Sequence, residues 1–222
     1  MKKFFFFCGC CLVALGWIAA TTLNAQAAKH LGLEFSAVQV VTINTQNTHT
    51  RTMKLYENLK QMKVRAEGEL LGSKNGILIV DFKKGKGYLL DPATKTFSEL
   101  PSFLWQKILQ DTHNAKTPCD AYTAGVKDFG GKITCNDLGP DSVEGYYVHK
   151  YQLNLTMMGT NVQELAWADP KTKVTLKLHS NNVDMLITQI KEGHQPESLF
   201  EIPAGYTGKT TPFPMMPNLQ GR

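Results

Sequence analysis

The sequence predicts a mainly β protein: a curved antiparallel sheet forming an incomplete β-barrel, with one or two helices covering its concave side. Three observations predict it. Apolar and polar residues alternate through Met62, Lys63, Val64, Arg65, Ala66 and Glu67, the period-two signature of a strand with one wet and one dry face. Turn chemistry recurs every few residues, as at Asn75-Gly76 and Asp91-Pro92, which is the punctuation of an antiparallel meander. From Pro101 to Leu109 the pattern changes to helical spacing, with Leu104/Ile108 and Trp105/Leu109 as i, i+4 pairs.

The chain opens on a tripartite export signal: Lys2 and Lys3, an apolar run from Phe4 to Ala20, and Ala25-Gln26-Ala27 as a small-residue cleavage site. Cleavage before Ala28 is expected, giving a signal peptide over 1–27, one β domain over 28–206 and a disordered tail over 207–222. The apolar core approaches the ~18 residues of a membrane span, but Gly9 and Gly16 interrupt it. The residues before Cys8, Cys10 and Cys11 do not make the usual approach to a lipid-attachment cysteine. A periplasmic or secreted location is expected.

A first strand over Leu33–Asn44 puts Phe35, Ala37, Val41 and Ile43 on one face. After a polar turn, Arg51–Tyr56 carries Met53 and Leu55 inward, and the strand around Arg65 follows. Ser73-Lys74-Asn75-Gly76 reads as a hairpin turn, because Asn-Gly accepts the positive φ such a turn needs. Ile77–Phe82 is an apolar run suited to a strand covered on both faces. Tyr88-Leu89-Leu90 is the next strand, Asp91-Pro92-Ala93-Thr94 a type I turn, and Thr96–Leu100 completes the set before the helix. Asp111–Gly131 is polar and glycine-rich and suggests no regular element.

Strands resume from Ser142. Tyr147, His149, Tyr151, Leu153 and Leu155 share one face, Leu165 and Trp167 mark a further strand, and Val174, Leu176 and Leu178 alternate with Thr175, Lys177 and His179. Val183–Ile190 follows an Asn181-Asn182 turn, and Leu199–Pro203 reads as a closing edge. The total is nine or ten strands.

The formal net charge of +5 is small, and the basic residues are scattered, which argues against a nucleic-acid partner. Cys119 and Cys135 are the cysteines that survive processing, and in an oxidising compartment they most simply form one disulfide. A metal or redox pair would call for C-x-x-C spacing, which is absent, and no histidine lies within a few residues of Cys135. Gly205–Thr210 imitates the end of a phosphate-binding loop, but Pro203 stands where its first glycine would fall. The histidines show no H-x-x-x-H spacing, so no metal or cofactor is expected; His149 is the least ordinary, sharing a face with Tyr151 and Leu153. No G-x-S-x-G elbow is present, and carboxylates such as Asp137 and Asp141 read as hydrated loop residues. An enzyme is not expected, an unknown hydrolase being the remote alternative.

Three segments together resemble a secreted domain family related to the periplasmic lipoprotein carriers and outer-membrane lipoprotein receptors. They are Val64-Arg65-Ala66-Glu67 with Ile77–Asp81, Gly87–Pro92 and Phe97; Gly145-Tyr146-Tyr147 with Lys150-Tyr151 and Trp167; and Gln195–Tyr206. The resemblance implies an open barrel whose concave side holds helices and is lined by apolar residues that receive acyl chains. It also implies that Arg65 matches the strand arginine that helps hold the carriers' helical lid, and Asp91-Pro92 their strand-ending turn.

Independently of that, a curled sheet with a dry inner face and too few helices to fill it leaves an apolar cavity. The candidate ligand-binding residues are Arg65 at its rim, Phe103, Trp105 and Leu109 on the covering helix, and Tyr151 and Trp167 on the later strands. Each has a plainer alternative: an outward strand arginine, or an aromatic or aliphatic core residue. The expected function is an extracytoplasmic binding protein holding a lipid, acyl chain or lipoprotein in this cavity. The alternative is a non-enzymatic envelope protein with a packed barrel that recognises a protein partner through an edge or loop.

Overall fold

The computed structural model describes residues 28–70, 73–101, 115–128, 130–157 and 159–209. The expected export signal, the expected helix from Pro101 and most of the expected tail lie outside these residues. Within them the chain forms β1 (Glu34–Ile43), β2 (His49–Asn58), β3 (Lys63–Leu70), β4 (Ser73–Asp81), β5 (Lys86–Asp91), β6 (Thr96–Leu100), α1 (Pro118–Asp128), β7 (Lys132–Val143), β8 (Tyr146–Met157), β9 (Thr160–Ala168), β10 (Thr175–Ser180), β11 (Val183–Glu192) and β12 (Thr207–Gly208).

All twelve strands belong to one sheet, in the order β12-β6-β5-β4-β3-β2-β1-β11-β10-β9-β8-β7. Every pairing is antiparallel except β12 with β6, and the two edges do not meet, so the sheet stays open. Register shifts interrupt β1/β11, β3/β4, β7/β8 and β9/β10. Such bulges bend a strand and increase its twist, and they supply the curvature that the sequence predicts. At β1/β11 the extra residues include Gln189, held at a φ of 53°.

Side chains of directly paired antiparallel residues share a face, so each face can be followed across the ladder. One face runs Ala37, Leu55, Ala66, Leu78, Leu89 from β1 to β5. It continues on the other side of β1 through Val41, Met185, Leu178, Ala166 and Tyr151. The opposite face carries Tyr56, Arg65, Ile79 and Tyr88 in the first half. In the second half it carries Leu186, Lys177, Trp167 and Lys150.

Each face is covered at one end by a different segment. α1 packs through Cys119 and Tyr122 over Tyr151, Leu153, Ala166 and Ala168 on the first face. On the opposite face a 3-10 turn at Glu197–Phe200 and the chain up to Tyr206 cover Ile79, Leu90, Tyr56 and Phe97. A fully buried carboxylate ties the first described residues down: Asp169 accepts from the backbone N–H groups of Leu31, Lys171 and Thr172 at 2.7–2.9 Å.

Four expectations need correction. α1 falls inside Asp111–Gly131, where no element is expected from the sequence. Its signal is Thr117-Pro118-Cys119-Asp120: the Thr117 hydroxyl accepts from Asp120 N–H at 3.2 Å while the Asp120 carboxylate accepts from Thr117 N–H at 2.9 Å, a capping box with proline at the first helical position. β7 is a strand although its Asn136-Asp137-Leu138-Gly139-Pro140-Asp141 run is polar, because an edge strand needs a partner on one side only. Asp137 and Asp141 therefore lie on a strand, not in a loop.

The hairpin between β3 and β4 reverses between Leu70 and Ser73, which pair directly, and Asn75-Gly76 lies within β4. Gly76 is opposite Gly68. A Cβ on Gly68 would stand 2.8 Å from the Thr52 carbonyl oxygen, and its φ is 151°, so the glycine serves close strand approach there. Leu199–Pro203 is a covering segment instead of an edge strand. The edge is β12, whose Thr207 and Gly208 pair with Thr96 and Phe97.

Candidate functional site

The face that runs through Ala66 and Leu78 is dry where Leu55 and Ala66 are buried and half-buried farther along the same strands. There it opens into a groove of about 370 Å³ lined by Val41, Ile43, Arg51, Met53, Glu69, Leu70, Leu78 and Leu89. Alternation within each strand puts all of these residues but Glu69 on one side, and Glu69 adjoins Leu70 at the β3/β4 register shift. Val41 and Ile43 are two apart on β1, Arg51 and Met53 two apart on β2, and Val41 pairs directly with Arg51. Gly68 opposite Gly76 leaves no side chain in the middle of this face, which keeps its floor low between Met53 and Leu78.

The groove is apolar except at one end. Arg51 Nε stands 3.3 Å from Glu69 Oε1, and His49 Nε2 stands 3.5 Å from Glu69 Oε2. The Arg51–Glu69 approach is off the N–H axis, so Arg51 Nε is buried without a hydrogen-bond partner. The Arg51 side chain as a whole is 38% exposed. At the other end of β2 on the same face is Glu57, opposite Phe35 and Val64; burial pushes its carboxyl up to about 7.

The sequence-predicted site residues separate. Phe103, Trp105 and Leu109 lie outside the described residues. Tyr151 is on the groove face but only 2% exposed, edge-on to Tyr122 of α1 at 6.3 Å; burial raises its hydroxyl to about 12. Trp167 is on the opposite face, because it pairs with Lys150 while its neighbour Ala166 pairs with Tyr151. Its ring lies under the Lys177 and Lys150 ammonium groups at 4.5 and 5.1 Å, and its Nε1–H donates to Asp141 at 2.7 Å. Arg65 is also on the opposite face, 8% exposed, donating to Glu67 at 2.6 Å and to the Leu199 carbonyl at 2.9 Å.

Cys119 and Cys135 form a disulfide with their Cα atoms 5.6 Å apart, stapling α1 to β7. His149 joins Asp137 at 2.7 Å through Nδ1 and the Tyr147 hydroxyl at 2.8 Å through Nε2. Burial pushes the Asp137 carboxyl up, but hydrogen bonds from His149 and the Gly139 N–H outweigh it and hold the carboxyl below its ordinary range. The phenol ends this chain, with no serine or cysteine nucleophile in it, so the arrangement braces the β7/β8 bulge. Among the described residues, no group of three or more His, Cys, Asp or Glu side chains is placed to hold a metal ion.

None of the eight groove residues is in the sequence-based site set. Val41, Ile43 and Met53 are legible as inward residues of their strands. That the eight residues converge from five strands is a matter of register, which alternation within one strand does not carry.

No protein-family model matches the chain, and no curated protein matches it. Similar solved structures include PNGF-II, at 11% identity and a TM-score of 0.45 over 80% of this chain. The Pseudomonas aeruginosa MucA/MucB complex is similar at 15% identity and a TM-score of 0.45 over 76% of this chain. A LolA superfamily protein from Nitrosomonas europaea is similar at 8% identity and a TM-score of 0.37, over 81% of this chain and 95% of that one. The chain spans 31% of the length of the first and 55% of the second. Function rests on this chain's own residues.

Proposed function

We propose that this chain is an extracytoplasmic binding protein that holds a single acyl chain, of a lipid or lipoprotein, in the groove across β1 to β5. The observation that supports it is the lining: Val41, Ile43, Met53, Leu70, Leu78 and Leu89 present apolar surface to an opening of about 370 Å³, within the size range of small-molecule sites. Each methylene placed there is worth about 0.8 kcal/mol, so a chain of moderate length binds without any polar contact. The extracytoplasmic setting is supported by the export signal in the sequence and by the disulfide.

Recognition of a protein partner through a sheet edge has less support. The β7 edge carries Pro140, a register shift and the acidic Asp137 and Asp141, features that obstruct strand addition.

Native mass spectrometry of the purified protein, combined with displacement of a fluorescent fatty acid, tests the proposal. Co-purifying lipid and displacement that falls roughly tenfold or more in Leu78→Glu, with an unchanged circular dichroism spectrum, are expected. No bound lipid and no displacement in the unaltered protein would sink it.

A further inference from the structure

The groove is not apolar to both ends, and its polar end has unspent capacity. Arg51 and His49 are two residues apart on β2 and share the groove face, opposite Val41 and Ile43 of β1. Glu69 stands between them, 3.3 Å from Arg51 Nε and 3.5 Å from His49 Nε2. Glu69 does not satisfy Arg51: among the buried side-chain nitrogens and oxygens of the described residues, Nε is the one left with no hydrogen-bond partner. A buried donor left unpaired is costly, and native structures retain few of them. The remaining guanidinium is exposed enough, at 38% for the side chain, to be reached from the mouth of the groove.

Resting on the acyl-chain reading of the groove, we propose that Arg51 is the head-group residue of the site and binds the carboxylate of a single-chain fatty acid whose tail lies along Met53, Leu78 and Leu89. A guanidinium offers a planar fork that matches a carboxylate through paired N–H donors. Glu69 competes for that fork, and His49 is the alternative partner to which Glu69 turns when the ligand carboxylate arrives. One arginine already facing one carboxylate suits a ligand of a single negative charge. A phosphate monoester would bring up to a second charge against Glu69.

Binding of palmitic acid, methyl palmitate and hexadecyl phosphate to the delipidated protein, measured by displacement of a fluorescent fatty acid, tests this. Palmitic acid should bind roughly tenfold more tightly than its methyl ester, and Arg51→Gln should bring the acid down to the ester's affinity while leaving the ester unchanged. Glu69→Gln is an independent variant and should tighten the acid several-fold by removing its competitor.

Equal affinity for acid and ester would overturn the head-group assignment and leave the apolar groove standing. Tighter binding of the alkyl phosphate than of the acid would overturn the choice of carboxylate. A Glu69→Gln protein that binds the acid no better than the unaltered one would overturn the competition on which the site is built. Failure of all three compounds to bind would remove the head-group site together with the acyl-chain reading.

Discussion

The Arg65 guanidinium reaches across 134 residues of sequence to donate to the Leu199 carbonyl oxygen at 2.9 Å. Its Nε donates to Glu67 on the same strand and the same face at 2.6 Å. The contact closes the C-terminal segment over Ile79, Leu90 and Tyr56, where Phe200, Leu199 and Ile202 complete an apolar cluster. A strand arginine that the sequence marks as a rim residue thus holds a backbone carbonyl on the face turned away from the groove.

Replacing Arg65 by leucine is expected to lower stability by about 2–4 kcal/mol, because it leaves Glu67 unpaired and the Leu199 carbonyl unsatisfied in a half-buried setting. Urea denaturation measures the loss, and limited proteolysis should show earlier cleavage within residues 195–209. Fatty-acid affinity of the folded variant should not change. A changed affinity at unaltered stability would return Arg65 to the ligand site.

The disulfide between Cys119 and Cys135 closes a loop with a sequence separation of 16 and is expected to contribute about 3 kcal/mol. The double variant Cys119→Ser, Cys135→Ser should lose that amount in chemical denaturation. Hydrogen exchange should accelerate first in α1, whose hold on the sheet then depends on Tyr122 and its hydrogen bond to Thr175 at 2.6 Å. An unchanged denaturation midpoint would mean that packing alone fixes the helix.

Glu57 sits among apolar neighbours on the groove face, and burial raises its carboxyl from an ordinary 4.5 to about 7. The folded state therefore binds this proton more tightly than the unfolded chain. The associated stability is fully present below about pH 4.5 and is lost as the pH rises through about 7. Glu57→Gln removes the dependence, so the variant's stability should match the unaltered protein at pH 4.5 and exceed it above pH 7, by on the order of 2 kcal/mol. Paired denaturation series across that range measure it, and a difference between the two proteins that stays flat with pH would contradict the burial.

Local chemistry made much of this protein legible before folding. Alternation in Lys63–Glu67 identifies β3 and says which of its residues share a side, and Asp91-Pro92 marks its turn, where Asp91 accepts from Ala93 N–H at 3.0 Å. The cysteine pair names its own bridge. Both features depend on neighbours in sequence or on chemistry available to only two residues.

Tertiary structure decided which side faces what. Tyr151 and Trp167 look equivalent as inward aromatics of successive strands, yet the pairing of Lys150 with Trp167 sends them to opposite faces. Arg65 and Ala66 alternate by rule, but only the landing of α1 on one face and of Leu199–Tyr206 on the other determines which residue meets a groove and which meets a cover. Period-two alternation is a property of a few adjacent residues. Register and coverage join separate segments, as far as 134 residues apart for Arg65 and Leu199, and no local pattern carries them.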